Sequence, residues 1–127
     1  MPSLLRAYEL ATRAATVGFD WVKSGDVLDK IDEETRELRE AVETLGENSP
    51  EAEEELGDLL FAVANLARKL GVEPEAALRV ANDKFQKRFD DVERQVTSKG
   101  ERMRDLTLDQ LEAHWQIAKT TTKDAKA

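Results

Sequence analysis

The chain has 127 residues, enough for one compact domain, and it contains no cysteine, which excludes disulfides and thiolate metal sites. Its formal net charge of −8 argues against general binding of nucleic acid through the phosphates. No apolar run approaches the roughly 18 residues of a membrane span, and the first residues lack the basic and then apolar pattern of a signal peptide. We therefore expect a cytoplasmic protein with no nucleic-acid or membrane partner.

Apolar residues recur at helical spacing along the whole chain, and no segment alternates like a strand. Five helices are predicted, at about residues 4–17, 26–45, 50–69, 74–98 and 107–119. Ser3 and Ser49 are the candidate N-caps of the first and third helices. Thr107 and Gln110 form a capping box that opens the fifth helix. The fold class is therefore predicted to be all-α.

Short connections between these helices favour an antiparallel helical bundle. We expect a single domain over residues 1–119 and a disordered C-terminal tail over residues 120–127. Long amphipathic helices in so short a chain leave apolar surface after the monomer has folded. We therefore expect a homodimer, or a higher homo-oligomer, to complete the bundle.

Acidic residues are concentrated in one part of the chain. Residues 29–58 contain thirteen acids and three bases, a net charge of −10, and the remainder of the chain carries +2. Glu34 and Glu37 lie three residues apart on the second helix, and Glu55 and Asp58 repeat that spacing on the third, so each pair shares a helix face. If the two helices pack antiparallel, the four carboxylates converge and repel one another unless a cation binds there. Oxygen ligands alone suit Mg²⁺ or Mn²⁺.

Two further observations bear on this acidic pattern. Gly57 lies between Glu55 and Asp58, and a mid-helix glycine costs roughly 1 kcal/mol relative to alanine, which suggests that another backbone or a ligand comes close. A ferritin-like di-iron site is excluded, because it needs two Glu-x-x-His motifs and the only histidine, His114, has Leu111 three residues before it. From spacing alone, however, the paired acids are also typical of solvated helix faces.

The same residues carry a resemblance to a known family. Glu33-Glu34-x-x-Glu37 followed by Glu55-x-x-Asp58 resembles the E-E-x-x-E and E-x-x-D signature of the MazG nucleotide pyrophosphohydrolases. Residues 57–68, GDLLFAVANLAR, and residues 81–89, ANDKFQKRF, resemble two further helices of that family. Residues 18–21, GFDW, and Trp115-x-x-x-Lys119 also fit. The resemblance covers about residues 4–119 and is greatest to the C-terminal domain of the two-domain bacterial members.

The resemblance implies a helical fold that pairs across a dimer and Mg²⁺-dependent hydrolysis of nucleoside triphosphates to nucleoside monophosphate and pyrophosphate, as in nucleotide-pool housecleaning. It assigns the metal to Glu34, Glu37, Glu55 and Asp58, and it makes Glu33 a further catalytic acid, either in the outer shell of the metal or orienting water. The residues expected to bind substrate by the same resemblance are Asn82, Lys84, Arg88, Trp115 and Lys119. Trp115 fits packing equally well, whereas Phe61, Phe85 and Phe89 are expected in the core.

Two alternatives stay open at this point. The first is a non-catalytic helical dimerisation module whose acidic residues only face solvent. The second is a relative within the superfamily that is specific for one nucleotide, such as dCTP, dUTP or phosphoribosyl-ATP. The base, the sugar and the number of metal ions are not fixed by the sequence.

Overall fold

The computed structural model describes residues 1–122. Its helices are α1 (Ser3–Thr16), α2 (Ser24–Leu45), α3 (Pro50–Lys69), α4 (Pro74–Ser98) and α5 (Leu108–Thr121), with a short 3₁₀ turn at Met103–Asp105 before α5. No strand occurs in this described part of the chain, so the all-α prediction is confirmed. No helix within it has the length and apolarity that a membrane crossing needs. The cytoplasmic location stays a prediction.

The predicted helix ends are mostly confirmed by side-chain caps. The Ser49 hydroxyl accepts a hydrogen bond from the backbone N–H of Ala52 at 3.1 Å. Both bonds of the Thr107–Gln110 capping box are formed, at 2.8 and 3.2 Å. The prediction for Ser3 was wrong: Ser3 is the first helical residue of α1, and the carbonyl of the preceding proline accepts the first helical hydrogen bond.

The chain divides into two compact units, which are described separately: Met1–Ala77 and the described part of Leu78–Ala127. In the first unit α3 packs against both α1 and α2, and the buried apolar residues are small ones: Ala11, Val27, Ala52, Ala62 and Ala64. In the second unit a small core forms around Val92, Val96 and Ala118, with Trp115 packed against it. The single domain over 1–119 stays a prediction.

The predicted tail overlaps the end of the last helix. α5 continues to Thr121 and ends at Thr122, so the helix extends two residues beyond its predicted end. The remaining residues of the predicted tail, 123–127, lie outside the described part of the chain.

Several large apolar side chains that were expected in the core are exposed. Phe61, Phe85 and Phe89 are 45%, 58% and 39% exposed, so their placement in the core of a single chain was wrong. Leu56, Leu60 and Val63 on α3 are exposed as well. The buried apolar residues are mainly alanines and valines, so a single chain covers only part of each predicted apolar stripe.

Candidate metal and nucleotide site

Three of the predicted metal ligands converge in the first unit. One carboxylate oxygen from each of Glu34, Glu37 and Glu55 lies within 4.8 Å of the other two. The first two residues project from neighbouring positions on α2, and direct packing of α3 on α2 brings Glu55 to them. Glu34 is only 6% exposed, and the other two are half-buried. The register of the α2–α3 pair therefore produces an acidic cluster, which we define as Glu34, Glu37 and Glu55.

The electrostatics of the acidic cluster are unfavourable without a cation. Burial raises the pKa of Glu37 above its usual value, and the nearby charges of Glu34 and Glu55 raise it further. Oε2 of Glu34 and Oε2 of Glu55 are buried, and no hydrogen-bond partner reaches either oxygen in the part of the chain that the structure describes. Buried acceptors without partners are costly and uncommon. A hard divalent cation fits this donor set, because it takes carboxylate oxygens as ligands and offsets their repulsion.

Lys30 is a member of the site that the sequence analysis missed. Its Nζ lies 3.1 Å from Oε1 of Glu34 and 3.6 Å from Oε2 of Glu33. The hydrogen bond to Glu34 is the main cause of the raised pKa of Lys30, which burial opposes in part. Lys30 lies four residues before Glu34 and three before Glu33, and this helical spacing could have predicted both contacts. The half-buried Glu33 thus faces a base at the edge of the acidic cluster.

Asp58, the fourth predicted ligand, is exposed and is not one of the three clustered acids. It lines a cavity of about 220 Å³ together with Glu34. The other residues around this cavity are Trp21, Val27, Lys30, Phe61, Ala62 and Asn65. Asp58 therefore faces the same cavity as Glu34, and its role as a metal ligand stays a prediction.

Gly57 lies in open space in the described part of the chain. A Cβ added at Gly57 meets no described atom within 4 Å. No described backbone of this chain approaches it, and the expectation that another backbone or a ligand comes close stays a prediction. Helix α3 tolerates the glycine, and its position next to Asp58 leaves that side of the helix open.

A polar network fixes the loop between α1 and α2 against the end of α3. The Asp20 carboxylate accepts hydrogen bonds from Arg68 and Lys69, and Lys69 also donates to the backbone carbonyl of Trp21. The hydrogen bond from Arg68 is the main reason why the pKa of Asp20 lies below its usual value. Nε of Arg68 donates to Oδ1 of the buried Asn65 at 2.9 Å. This network holds Trp21 at the cavity.

The predicted substrate-binding residues lie in the second unit. Asn82 and Lys84 are exposed on α4, and Lys119 is exposed on α5. Arg88 is half-buried, and its Nε has no hydrogen-bond partner among the described residues. The Trp115 ring packs against Phe85 with 5.3 Å between ring centroids, which accounts for this tryptophan through packing. Substrate binding by these residues stays a prediction.

Comparison of the sequence with known proteins gives one family match and several relatives. Residues 24–93 match the MazG nucleotide pyrophosphohydrolase domain, and this stretch contains all four predicted metal ligands. The chain is 44% identical over 119 residues to the nucleoside triphosphate pyrophosphohydrolase of Escherichia coli strain K12, covering 94% of this chain and 45% of the relative. It is 41% identical over 119 residues to a nucleoside triphosphate pyrophosphohydrolase/pyrophosphatase MazG of Thermotoga maritima, covering 94% of this chain and 45% of that relative.

A third similarity is shorter. The uncharacterized protein YabN of Bacillus subtilis is 41% identical over 69 residues, which cover 54% of this chain and 14% of that protein. The chain spans slightly less than half the length of the two pyrophosphohydrolases. With a family domain matched over more than half of its residues, the chain belongs to the MazG nucleotide pyrophosphohydrolase domain family.

Proposed function

We propose that this protein hydrolyses nucleoside triphosphates to nucleoside monophosphate and pyrophosphate with the help of a divalent cation, Mg²⁺ or alternatively Mn²⁺. The observation that carries the proposal is the acidic cluster with its two buried carboxylate oxygens, which have no hydrogen-bond partner among residues 1–122. The similarity to relatives that are named nucleoside triphosphate pyrophosphohydrolases supports it. The products follow from attack of water on the α- or β-phosphorus and cleavage of the phosphoanhydride bond between the α- and β-phosphates, with release of a proton.

In this proposal Glu34, Glu37 and Glu55 hold the cation, and Asp58, which lines the same cavity as Glu34, adds a fourth carboxylate. Bound Mg²⁺ supplies positive charge to the phosphates and lowers the pKa of a coordinated water. Glu33 orients the attacking water or accepts its proton, because it is half-buried beside the cluster. Nζ of Lys30 lies 3.1 Å from Oε1 of Glu34, and a cation bound to that oxygen would leave the ammonium group available for a phosphate oxygen.

The phosphate chain needs further cations, which we assign to Lys84, Arg88 and Lys119. Lys84 and Arg88 are four residues apart on α4, hence on one face of that helix. Nε of Arg88 is buried and has no hydrogen-bond partner among the described residues, and we assign the phosphate contact to the guanidinium group of this half-buried side chain. Asn82 and Trp115 are the remaining candidates for contacts with the substrate.

We also propose that the active form is a homodimer or a larger homo-oligomer. Leu56, Leu60, Phe61 and Val63 expose apolar surface along α3, and contiguous exposed patches of this kind are typical of interaction sites. Sedimentation equilibrium at micromolar concentration tests this directly. A monomer under those conditions contradicts it.

The enzymatic proposal is tested by measuring pyrophosphate and nucleoside monophosphate from a panel of common and damaged triphosphates, with MgCl₂ or with EDTA. We expect hydrolysis with Mg²⁺ only. Glu55→Gln and Asp58→Asn are expected to abolish it, whereas Glu54→Gln, an exposed neighbour outside the acidic cluster, is the matched control. If no triphosphate of the panel releases pyrophosphate, the alternative of a non-catalytic dimerisation module is favoured.

A further inference from the structure

We propose that Lys30 is an intrinsic counter-cation of the acidic cluster: its ammonium group neutralises Glu34 in the metal-free protein and competes with the divalent cation for that carboxylate. Lys30 therefore sets the cation concentration at which the site fills. The inference rests on the proposed function, because it takes the acidic cluster to be a cation site, and it adds a residue that controls how readily the site is occupied. Its test measures cation binding and needs no turnover.

The ammonium group of Lys30 contacts the most buried acid of the cluster. Nζ lies 3.1 Å from Oε1 of Glu34, whose side chain is only 7% exposed. The second oxygen of that carboxylate, Oε2, is buried and meets no hydrogen-bond partner in the part of the chain that the structure describes. Because an unpaired charge is costly where water is excluded, the lysine stabilises Glu34 as long as no metal ion is bound.

The charge of Lys30 acts on more than one carboxylate. Nζ also lies 3.6 Å from Oε2 of Glu33. The hydrogen bond to Glu34 raises the pKa of Lys30 most, burial opposes this effect, and the charges of Glu33, Glu34 and Glu37 raise the pKa further. An ammonium group that attracts these carboxylates also repels a divalent cation bound among them. The lysine and the cation therefore stabilise the same acids and partly exclude each other.

Lys30 has room to give way to a cation. Its side chain is 36% exposed, its four-carbon stem is flexible, and it lines the cavity of about 220 Å³ beside Glu34. The ammonium group can leave Oε1 of Glu34 by rotation about the bonds of this stem, while the carboxylate stays buried. Loss of the ion pair then lowers the net affinity for the cation, by an amount that the partial exposure of the lysine keeps moderate.

Lys30→Met removes the charge and retains most of the apolar stem. In EDTA this variant should unfold roughly 4–10 °C below wild type, because the buried Glu34 loses its partner. Its Kd for Mn²⁺ should fall roughly ten- to a hundredfold, because the cation no longer opposes an ammonium group. Metal-free stability and cation affinity thus change in opposite directions. A salt bridge with a purely structural role would lower the stability without tightening cation binding.

The affinity is measured by titrating metal-free protein with MnCl₂ and following free Mn²⁺ by electron paramagnetic resonance, at a temperature where circular dichroism shows every variant folded. Lys30→Arg retains the charge and should keep a Kd close to that of the wild type. Arg36→Met is the matched control, because Arg36 is exposed on the same helix and forms no ion pair with the acidic cluster within residues 1–122. It removes the same charge and should alter the Kd far less, since solvent screens it.

A Kd of Lys30→Met that equals or exceeds the wild-type value overturns the proposal. A weaker affinity would make Lys30 an orienting partner of Glu34, whose loss impairs binding. Equal tightening by Lys30→Met and Arg36→Met also overturns the proposal, because net charge alone then explains the gain. If Lys30→Met does not fold without metal, Lys30→Gln replaces it, since the amide can still donate a hydrogen bond to Glu34 but carries no charge.

The outcome is separable from that of the proposed function. Tighter Mn²⁺ binding by Lys30→Met, with no triphosphate hydrolysed by the wild type, supports the role of Lys30 and contradicts the enzymatic proposal. Hydrolysis by the wild type, with unchanged Mn²⁺ affinity in Lys30→Met, has the opposite meaning. Absence of Mn²⁺ binding by the wild type and by Lys30→Met overturns the counter-cation proposal together with the metal site.

Discussion

Replacement of Glu55 by glutamine should stabilise the metal-free protein. One oxygen of Glu55 lies within 4.8 Å of an oxygen of the buried Glu34. Two unit charges at that distance repel by about 3.5 kcal/mol at an effective dielectric constant of about 20, and by about 1 kcal/mol in water. Glutamine retains the shape of the side chain and removes the charge. We therefore expect the free energy of unfolding without metal to rise by about 1–3 kcal/mol.

Addition of Mg²⁺ should reduce or reverse the difference in unfolding free energy between Glu55→Gln and the wild type. A cation at about 100 times its dissociation constant stabilises the folded state by about 2.7 kcal/mol. Glu55→Gln has lost a charged ligand and should gain much less. Each kcal/mol corresponds to about 4 °C in Tm for a chain of this size, so both effects are measurable by thermal unfolding in EDTA and in MgCl₂.

Glu54→Gln provides the control for this experiment, because Glu54 is an exposed acid one residue away and outside the acidic cluster. It should change neither the metal-free Tm nor the response to Mg²⁺ by more than a small amount. If Glu55→Gln keeps the full wild-type response to Mg²⁺, the carboxylates do not form a metal centre. If both variants raise Tm equally, the gain reflects only the lower net charge of the protein.

Three further changes have defined outcomes. Gly57→Ala should raise the free energy of unfolding, measured in urea, by about 0.5–1 kcal/mol. Alanine is a better helix former than glycine, and the new methyl group meets no described atom. Arg88→Lys should lower kcat/KM about ten- to a hundredfold through loss of the planar fork with little change in Tm, and Lys87→Gln on the same helix should affect kcat/KM far less. Asp20 has a pKa below its usual 3.8 in the folded protein, chiefly because Arg68 donates a hydrogen bond to it. The ionised Asp20 therefore stabilises the fold above pH 3.8, and this contribution disappears as the pH falls through the lowered pKa of the folded protein. In urea unfolding, Asp20→Asn should be less stable than wild type at neutral pH and equally stable at strongly acidic pH.

The parts of the fold that depend on neighbouring residues were predictable from the sequence. The hydroxyls of Ser49 and Thr107 accept the N-terminal hydrogen bonds of their helices as expected, because a cap needs only residues within one turn. The same reasoning placed Glu34 and Glu37 on one face of α2. Ser3 failed as a cap because the helix already begins at that residue, a difference of one position that local rules resolve poorly.

The parts that depend on the packing of distant segments were not predictable. The cavity requires Trp21, from a loop, to lie beside Phe61 and Asn65 on α3. Salt bridges between Asp20 and α3 fix that arrangement, and they join residues separated by almost fifty positions. Phe61 was expected in the core rather than at a base, but the sequence does not show which residues cover a given side chain, and Phe61 is 45% exposed.

The charges of the site bear on where the substrate's phosphates bind. Glu33, Glu34, Glu37 and Glu55 lie together, and Lys30 is the base that pairs with them in the described part of the chain. With all four acids ionised, one divalent cation still leaves this group with a net negative charge. A triphosphate carries several negative charges of its own, so it would be repelled without additional cations. Under the proposed function, these cations are either a second metal ion or bases outside this group. We propose that Lys84 and Arg88 are such bases.

Titration of bound Mn²⁺ by electron paramagnetic resonance, with and without the α,β-methylene analogue of ATP, distinguishes the two sources of positive charge. A second metal equivalent that binds only with the nucleotide indicates the first source. A constant single equivalent, with nucleotide affinity that falls on Arg88→Lys, indicates the second.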